Sequence, residues 1–214
     1  MRYHQKVIKR LFDLTFSLLG LSLLWPLIIG CIVIARLDTR LPGLFVQSRV
    51  GQFGKLIQTR KIRTMRNRPD IDTTVTVAGD TRITTIGAKM RRWKLDELPQ
   101  LWNVLVGDMS FVGPRPDVPG YADALSGSDR EILQLKPGIT GPATIKYRDE
   151  EEYLSQALDA KQFNDAVVYP DKVQINLDYM RNWSLLGDIK YVLMTLRIVA
   201  VPAELKASID SHQE

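Results

Sequence analysis

The longest apolar pattern in this 214-residue chain runs from Leu14 to Ala35, 22 residues without a charge. As a straight helix rising about 1.5 Å per residue, it is long enough to cross a hydrocarbon core of about 30 Å. Arg2, Lys6, Lys9 and Arg10 precede the run, Arg36 and Arg40 follow it, and Pro26 sits at its centre between Gly20 and Gly30. Basic flanks mark the cytoplasmic side of a membrane, so basic residues at both ends predict that both ends stay on that side. Proline in a helix interior removes a hydrogen bond and favours a kink or a break. The pattern therefore predicts a helix that breaks at Pro26, enters the membrane and turns back, its freed carbonyls satisfied by neighbouring protein. A cleaved signal peptide does not fit, because the apolar region is too long and no small-residue cleavage pattern follows it.

Beyond the anchor the periodicity changes. Leu44 to Val50 and Lys55 to Ile62 read as the strands of a β-hairpin turning at Gly51-Gln52-Phe53-Gly54. Asn67 to Thr81 is polar and reads as a surface loop, and Thr85 to Lys94 leads into the next helix start. Ser128 to Leu135 predicts a short helix, Lys136 to Pro142 a Pro/Gly turn, and Asp149 to Asp165 an acidic, solvated helix. From Leu177 to Val201 apolar residues recur at helical spacing, interrupted at Gly187-Asp188; a core helix and an interfacial helix with Trp183 and Tyr191 at the headgroups both fit, and the N-terminal anchor favours the interfacial one. The predicted class is α+β, mostly α with a small hairpin: a monotopic membrane protein with an N-terminal re-entrant helix and interfacial helices. Residues 1–40 form the anchor, 41–202 the catalytic unit and 203–214 a tail.

Charge sharpens this picture. Residues 1–66 hold 12 Lys and Arg against 2 Asp and Glu, so the whole chain's +5 is a local +10 around the apolar run and −5 elsewhere. That excess would also suit a membrane-tethered polyanion-binding protein without catalysis, but no recognition helix for nucleic acid is readable, so no nucleic acid is expected. Cys31 is the only cysteine and lies within the apolar run, which excludes an intrachain disulfide. The acidic cluster Asp149, Glu150, Glu151 and Glu152 is expected to be solvated rather than metal-binding.

The chemistry concentrates in KLDELPQLWNVLVGDMSFVGPRP, Lys94 to Pro116. Pro99 suits the first turn of a helix, which places the adjacent carboxylates Asp96 and Glu97 at its start. There they could simply cap the helix, since the dipole and the free N–H groups favour acids at that position. Arg115, fixed between Pro114 and Pro116, is a rigid donor fork suited to phosphate oxygens, and a turn that only reversed the chain would not need it.

These residues resemble the bacterial sugar transferase family, the small monotopic phosphoglycosyl transferases. The resemblance extends through Pro42-Gly43, Phe45, Gln47, Arg49-Val50-Gly51, Gly54, Lys61-Ile62-Arg63-Thr64-Met65 and Lys136 to Gly141. It implies transfer of a sugar 1-phosphate from a UDP-sugar to a membrane polyprenyl (undecaprenyl) phosphate, with release of UMP. It implies Asp96 as the nucleophile, Glu97 as a Mg²⁺ ligand, and Arg115, Arg91, Lys61 and Arg63 as phosphate contacts held beside Pro114 and Pro116. It further implies a helix-break-helix at Pro26, where Trp25 replaces the small polar residue usual in the family. The expected location is the bacterial inner membrane with the catalytic unit on its cytoplasmic face, in contact with membrane lipids. Because the chain begins directly before the anchor, the minimal form of the family is expected.

Overall fold

In the computed structural model, whose described residues are 1–67, 80–150, 154 and 159–202, helix α1 spans Tyr3–Thr39 without a terminus at Pro26. The expected break is thus not a division into two helices. Pro26 is exposed, and the buried positions Lys9, Asp13, Ser17, Ile28, Cys31, Ala35 and Thr39 form one stripe along the opposite side. A proline on the outer side lets the helix bend toward its packed side, as helices that wrap a core do. Both arms of α1 touch the rest of the protein. Before Pro26, Gly20 faces Leu101, and a Cβ there would lie 3.2 Å from the leucine. After Pro26, Cys31 and Ala35 pack in one cluster with Ile62 and Met90. Leu11, Leu23, Trp25, Val33 and Leu37 remain exposed on the outer side.

The hairpin forms as the pattern predicts, with β1 (Leu44–Val50) antiparallel to β2 (Leu56–Ile62) and Leu44 opposite Ile62. Helix α2 (Thr85–Arg92) follows, capped by Thr84, whose hydroxyl accepts from the Gly87 N–H at 2.8 Å. Helix α3 (Gln100–Val106) lies between β2 and α1. Buried Asn103 fastens it to β2, accepting from Arg60 N–H at 3.2 Å and donating to the Gln58 carbonyl at 2.7 Å. Arg10 caps its far end by donating to the carbonyls of Val104 and Leu105 at 2.7 and 2.8 Å.

A second sheet was not predicted. Strands β3 (Ser110–Val112) and β4 (Gly138–Thr140) pair in parallel. Each is three residues long, too short to carry an alternation pattern. Gly113 makes their close approach possible, since a Cβ there would fall 2.3 Å from the Lys136 carbonyl oxygen. The segment expected as a short α-helix is a 3₁₀-helix over Gly127–Gln134. Helices α4 (Pro142–Lys146), α5 (Ala160–Phe163) and α6 (Tyr169–Arg181) follow, α5 running into α6 through a π-turn at Asn164–Val168. Pro170 has no N–H for the preceding turn, which suits the irregular entry. Residues 151–153 and 155–158 of the acidic segment, the greater part of the 67–81 loop and the 203–214 tail lie outside the described residues.

The C-terminal pattern is corrected in two respects. The break falls at Asn182–Ser184, and Gly187-Asp188 sits in the first turn of α7 (Leu185–Thr195), which Ser184 caps through the Gly187 N–H at 3.1 Å. Trp183 does not reach a membrane surface: it is buried in the main core with Leu177 and Met180, and Tyr191 packs against that core. Its indole N–H donates to Asp188 at 3.0 Å, a partner only the folded turn brings into reach. Leu186 and Ile189 are the exposed apolar residues of α7, together with Leu196 just beyond it.

Candidate active site

The carboxylate pair is positioned by a change of backbone direction. After α2, Lys94 takes a left-handed conformation (φ 56°), and Leu95–Glu97 forms one 3₁₀ turn before α3. Pro99 is the residue that caps α3, and no side-chain cap bond is made there. Neither carboxylate therefore caps the helix. Both are buried, at 8% exposure for Asp96 and 6% for Glu97, which leaves their burial to be explained by something else.

For Glu97 the explanation is two cations. Arg115 donates to its Oε1 at 2.9 Å, and Lys61, near the end of β2, donates to the same oxygen at 3.3 Å. Burial alone would raise the Glu97 pKa, but Arg115, Lys61 and Lys94 outweigh it and hold the carboxyl well below the usual range. Asp96 moves the other way. Burial, then repulsion from Glu97, raises its pKa against the opposing pull of Lys61, Lys94 and Arg91. Its Oδ1 is buried without a hydrogen-bond partner. Two adjacent carboxylates pushed apart in this way are equipped for different tasks. Lys61 is itself lowered to about 8, chiefly by burial and then by Arg115, against the pull of Glu97 and Asp96.

These groups open on a cleft of about 810 Å³, a size that accommodates a small organic ligand. Lys61, Arg91, Asp96, Glu97, Pro114 and Arg115 line it, so the structure brings together six of the residues named from sequence. Arg92, exposed at the end of α2, lines it as well. Pro116 and Arg63 are not among the lining residues. The Pro116 carbonyl accepts from Arg49 at 3.3 Å, while Arg63 donates to the Pro42 carbonyl at 2.8 Å and stacks on Phe45 at 5.0 Å. Arg63 continues the ladder, its N–H donating to the Gly43 carbonyl at 2.7 Å, but its side chain is taken up by Pro42 and by Phe45, the residue opposite Lys61.

Sequence reasoning missed the opposite wall. Asp117 lines the cleft and accepts from the Tyr169 hydroxyl at 3.1 Å. Burial pushes its pKa up to about 6 against the pull of that bond, Lys172, Arg49 and Arg115. Thr144, Lys172 and Asn176 also line the cleft, and none lies in a recognisable motif. Among the described residues no group of three or more His, Cys, Asp or Glu side chains is arranged to hold a metal ion. The carboxylates that line the cleft include the adjacent Asp96–Glu97 pair, in which Asp96 keeps one oxygen without a hydrogen-bond partner.

A family model described as bacterial sugar transferase matches residues 4–202. The uncharacterized sugar transferase EpsL of Bacillus subtilis is 34% identical over 195 residues, 91% of this chain and 88% of that protein. A UDP-glucose:undecaprenyl-phosphate glucose-1-phosphate transferase of Caulobacter vibrioides is 35% identical, covering 88% of this chain and 68% of that protein. A protein of the same description from Xanthomonas campestris pv. campestris is 36% identical, and the match spans 88% of this chain but only 38% of that longer protein.

Proposed function

We propose that this chain, a transferase that belongs to the bacterial sugar transferase family, moves a sugar 1-phosphate from a UDP-sugar to a polyprenyl phosphate and releases UMP. The observation that carries this reading is a buried carboxylate with an orphaned oxygen, Asp96, beside a second carboxylate held by Lys61 and Arg115. A diphosphate is shielded by its own negative oxygens, so attack on it needs cations that neutralise charge as the transition state forms. Lys61, Arg91 and Arg115 supply them. Asp96 Oδ1 is unencumbered by hydrogen bonds, and its raised pKa makes it the more basic oxygen of the pair. In the first step that oxygen bonds to the β-phosphorus, and the bond from this phosphorus to the bridging oxygen breaks, so UMP leaves with that oxygen. In the second step an oxygen of polyprenyl phosphate attacks the phospho-Asp96 phosphorus. The carboxylate is displaced and a polyprenyl diphosphate sugar departs.

Mg²⁺ fits the residues present, because it takes few protein carboxylates and completes its shell with water and substrate phosphate. Glu97 would hold it, and when bound it would neutralise diphosphate charge. Arg115 and Lys61, which Glu97 now engages, face the same cleft and can turn to phosphate oxygens.

The acceptor's lipid tail accounts for α1. Its 37 residues are long and apolar enough to cross a membrane, yet residues on both sides of Pro26 pack on the catalytic unit. A helix that touches one water-exposed body with both arms keeps both ends on that body's side. This supports a re-entrant anchor in the bacterial inner membrane, with catalysis at the cytoplasmic face. Cysteine labelling at residues 1 and 40 should place both ends on one side, and opposite sides would mean a true span. The polyanion-tether alternative loses its main support, since Lys9, Arg10 and Lys61 engage partners within the chain.

The deciding experiment is an intact-mass spectrum after exposure to a panel of UDP-sugars with Mg²⁺ and no acceptor. An adduct of one sugar phosphate on wild type, absent from Asp96→Asn, supports the covalent step and identifies the donor. UMP release that appears only with acceptor, and no adduct, would replace it with a one-step reaction using Asp96 as general base.

A further inference from the structure

Three buried side-chain oxygens without a hydrogen-bond partner, Asp96 Oδ1, Thr144 Oγ1 and Asn176 Oδ1, line the same cleft. The first belongs to the reactive pair. The other two sit on α4 and α6, elements that pack together and carry no part of the phosphate chemistry. Asn176 is only 5% exposed. A buried amide oxygen left without a donor costs free energy, and such groups call for an explanation. Here the residues that carry them line a cavity large enough for a ligand.

The composition of the walls indicates what kind of ligand part would fit there. One wall presents Lys61, Arg91, Lys94, Asp96, Glu97 and Arg115, a surface for phosphate. Beside Thr144 and Asn176 in the chain the lining includes the apolar Ala143, Ile145 and Val173, together with Lys172 and Arg148. Both of these cations have partners within the chain: Lys172 pairs with Glu150 at 2.6 Å, and Arg148 donates to the Met194 carbonyl at 2.7 Å. Apolar side chains carrying two uncharged polar atoms, with the neighbouring cations already paired, suit a neutral ring bearing hydroxyl or N–H groups.

We infer that Asn176 and Thr144 form a neutral hydrogen-bonding subsite for an uncharged polar ring of the donor, while the diphosphate lies along the charged wall. The inference rests on the transferase reading above. Two parts of a UDP-sugar share the required chemistry: the sugar, through its hydroxyls, and the uracil, through its N–H. In either case Asn176 Oδ1 accepts and Thr144 Oγ1 donates or accepts. A site built to hydrogen-bond a group rejects ligands that lack it, so these two residues would discriminate among donors.

The test uses the full-length chain. Affinity for UMP is measured by calorimetry, and KM for the UDP-sugar is measured by acceptor-dependent UMP release, for wild type, Asn176→Ala and the near-isosteric Thr144→Val. Thermal melting confirms that each variant is folded. A KM raised about tenfold with UMP affinity unchanged places the sugar in the subsite; equal losses on both ligands place the uracil there. If folded variants keep wild-type UMP affinity and KM, the inference is overturned and the transferase reading stands. If wild type releases no UMP with any donor, the transferase reading fails first.

Discussion

Two buried polar clusters in this protein are built from similar groups and reach opposite outcomes. At the junction of α1, α6 and α7, fully buried Asp188 accepts from Lys9 at 2.6 Å and Trp183 at 3.0 Å on one oxygen, and from Tyr179 at 2.7 Å on the other. Both oxygens are satisfied within the chain, and none of the four residues lines the cleft. In the Asp96–Glu97 cluster one carboxylate is doubly held and the other, which lines the cleft, keeps a buried oxygen without a hydrogen-bond partner. The closed cluster needs only the fold to account for its burial. The open one, on the function proposed above, is completed by a ligand, and on that reading unsatisfied atoms mark the chemistry better than buried charge does.

The contrast breaks first, and furthest, at Asp96. Asp96→Asn should lower turnover by ~10³-fold or more, because an amide is a poor nucleophile. The melting temperature should hold or rise, since the substitution removes a carboxylate that burial disfavours. Retained turnover, or a melting temperature that falls sharply, would place Asp96 in the structural class with Asp188.

Asp188 should show the reverse. Asp188→Ala leaves Lys9 buried without its carboxylate and removes the acceptor of Tyr179 and Trp183, a loss of about 3–5 kcal/mol by chemical unfolding. The double variant Lys9→Met with Asp188→Leu should recover much of that stability, because an apolar pair replaces the charge pair without an orphan. Failure of the double variant to recover would mean that the cluster contributes more than mutual satisfaction.

The pH profile sharpens the same contrast from within the open cluster. Protonated Asp96 cannot attack, and its pKa is raised, so kcat/KM should fall on acidification at a higher pH than an ordinary aspartate would give. Lys61 loses its charge as pH rises through about 8, which weakens its hold on phosphate and on Glu97, so activity should also fall there. Lys61→Arg, charged throughout, should carry the alkaline limb above pH 8. An alkaline limb unmoved by that variant would assign it to another group.

What the sequence disclosed follows the same division. The uncharged run and the hairpin were readable because their patterns are local, and Asp96, Glu97, Lys61 and Arg115 were readable because they fall in motifs. Lys9 and Arg10 were read as topology signals, yet their partners Asp188 and Val104 stand 179 and 94 residues away, where no periodicity connects them. Trp183 was misplaced for the same reason, its burial being set by the core around it. Asn176 and Thr144 carried no signal, because a single neutral polar residue on a helix looks like any half-exposed position.

The smallest expected effect concerns the N-terminal arm of α1 and its grip on α3. Arg10 donates to the carbonyls of Val104 and Leu105 at the C-terminal end of α3, where a cation complements the helix dipole and adds to the bond that the Gly107 N–H makes to Val104. Arg10→Ala should destabilise the protein by about 1–2 kcal/mol in chemical unfolding, since two charge-assisted bonds are lost where water can partly replace them. The Asp96–Glu97 turn enters the opposite end of that helix, so KM for the donor should stay within about twofold of wild type if α3 holds its place against β2 through Asn103. Arg10→Lys should recover only part of the stability, because one ammonium lacks the fork that meets two carbonyls at once. A large rise in KM with Arg10→Ala would mean that the two ends of α3 are coupled, and that the anchor arm sets the geometry of the cleft as well as its position at the membrane.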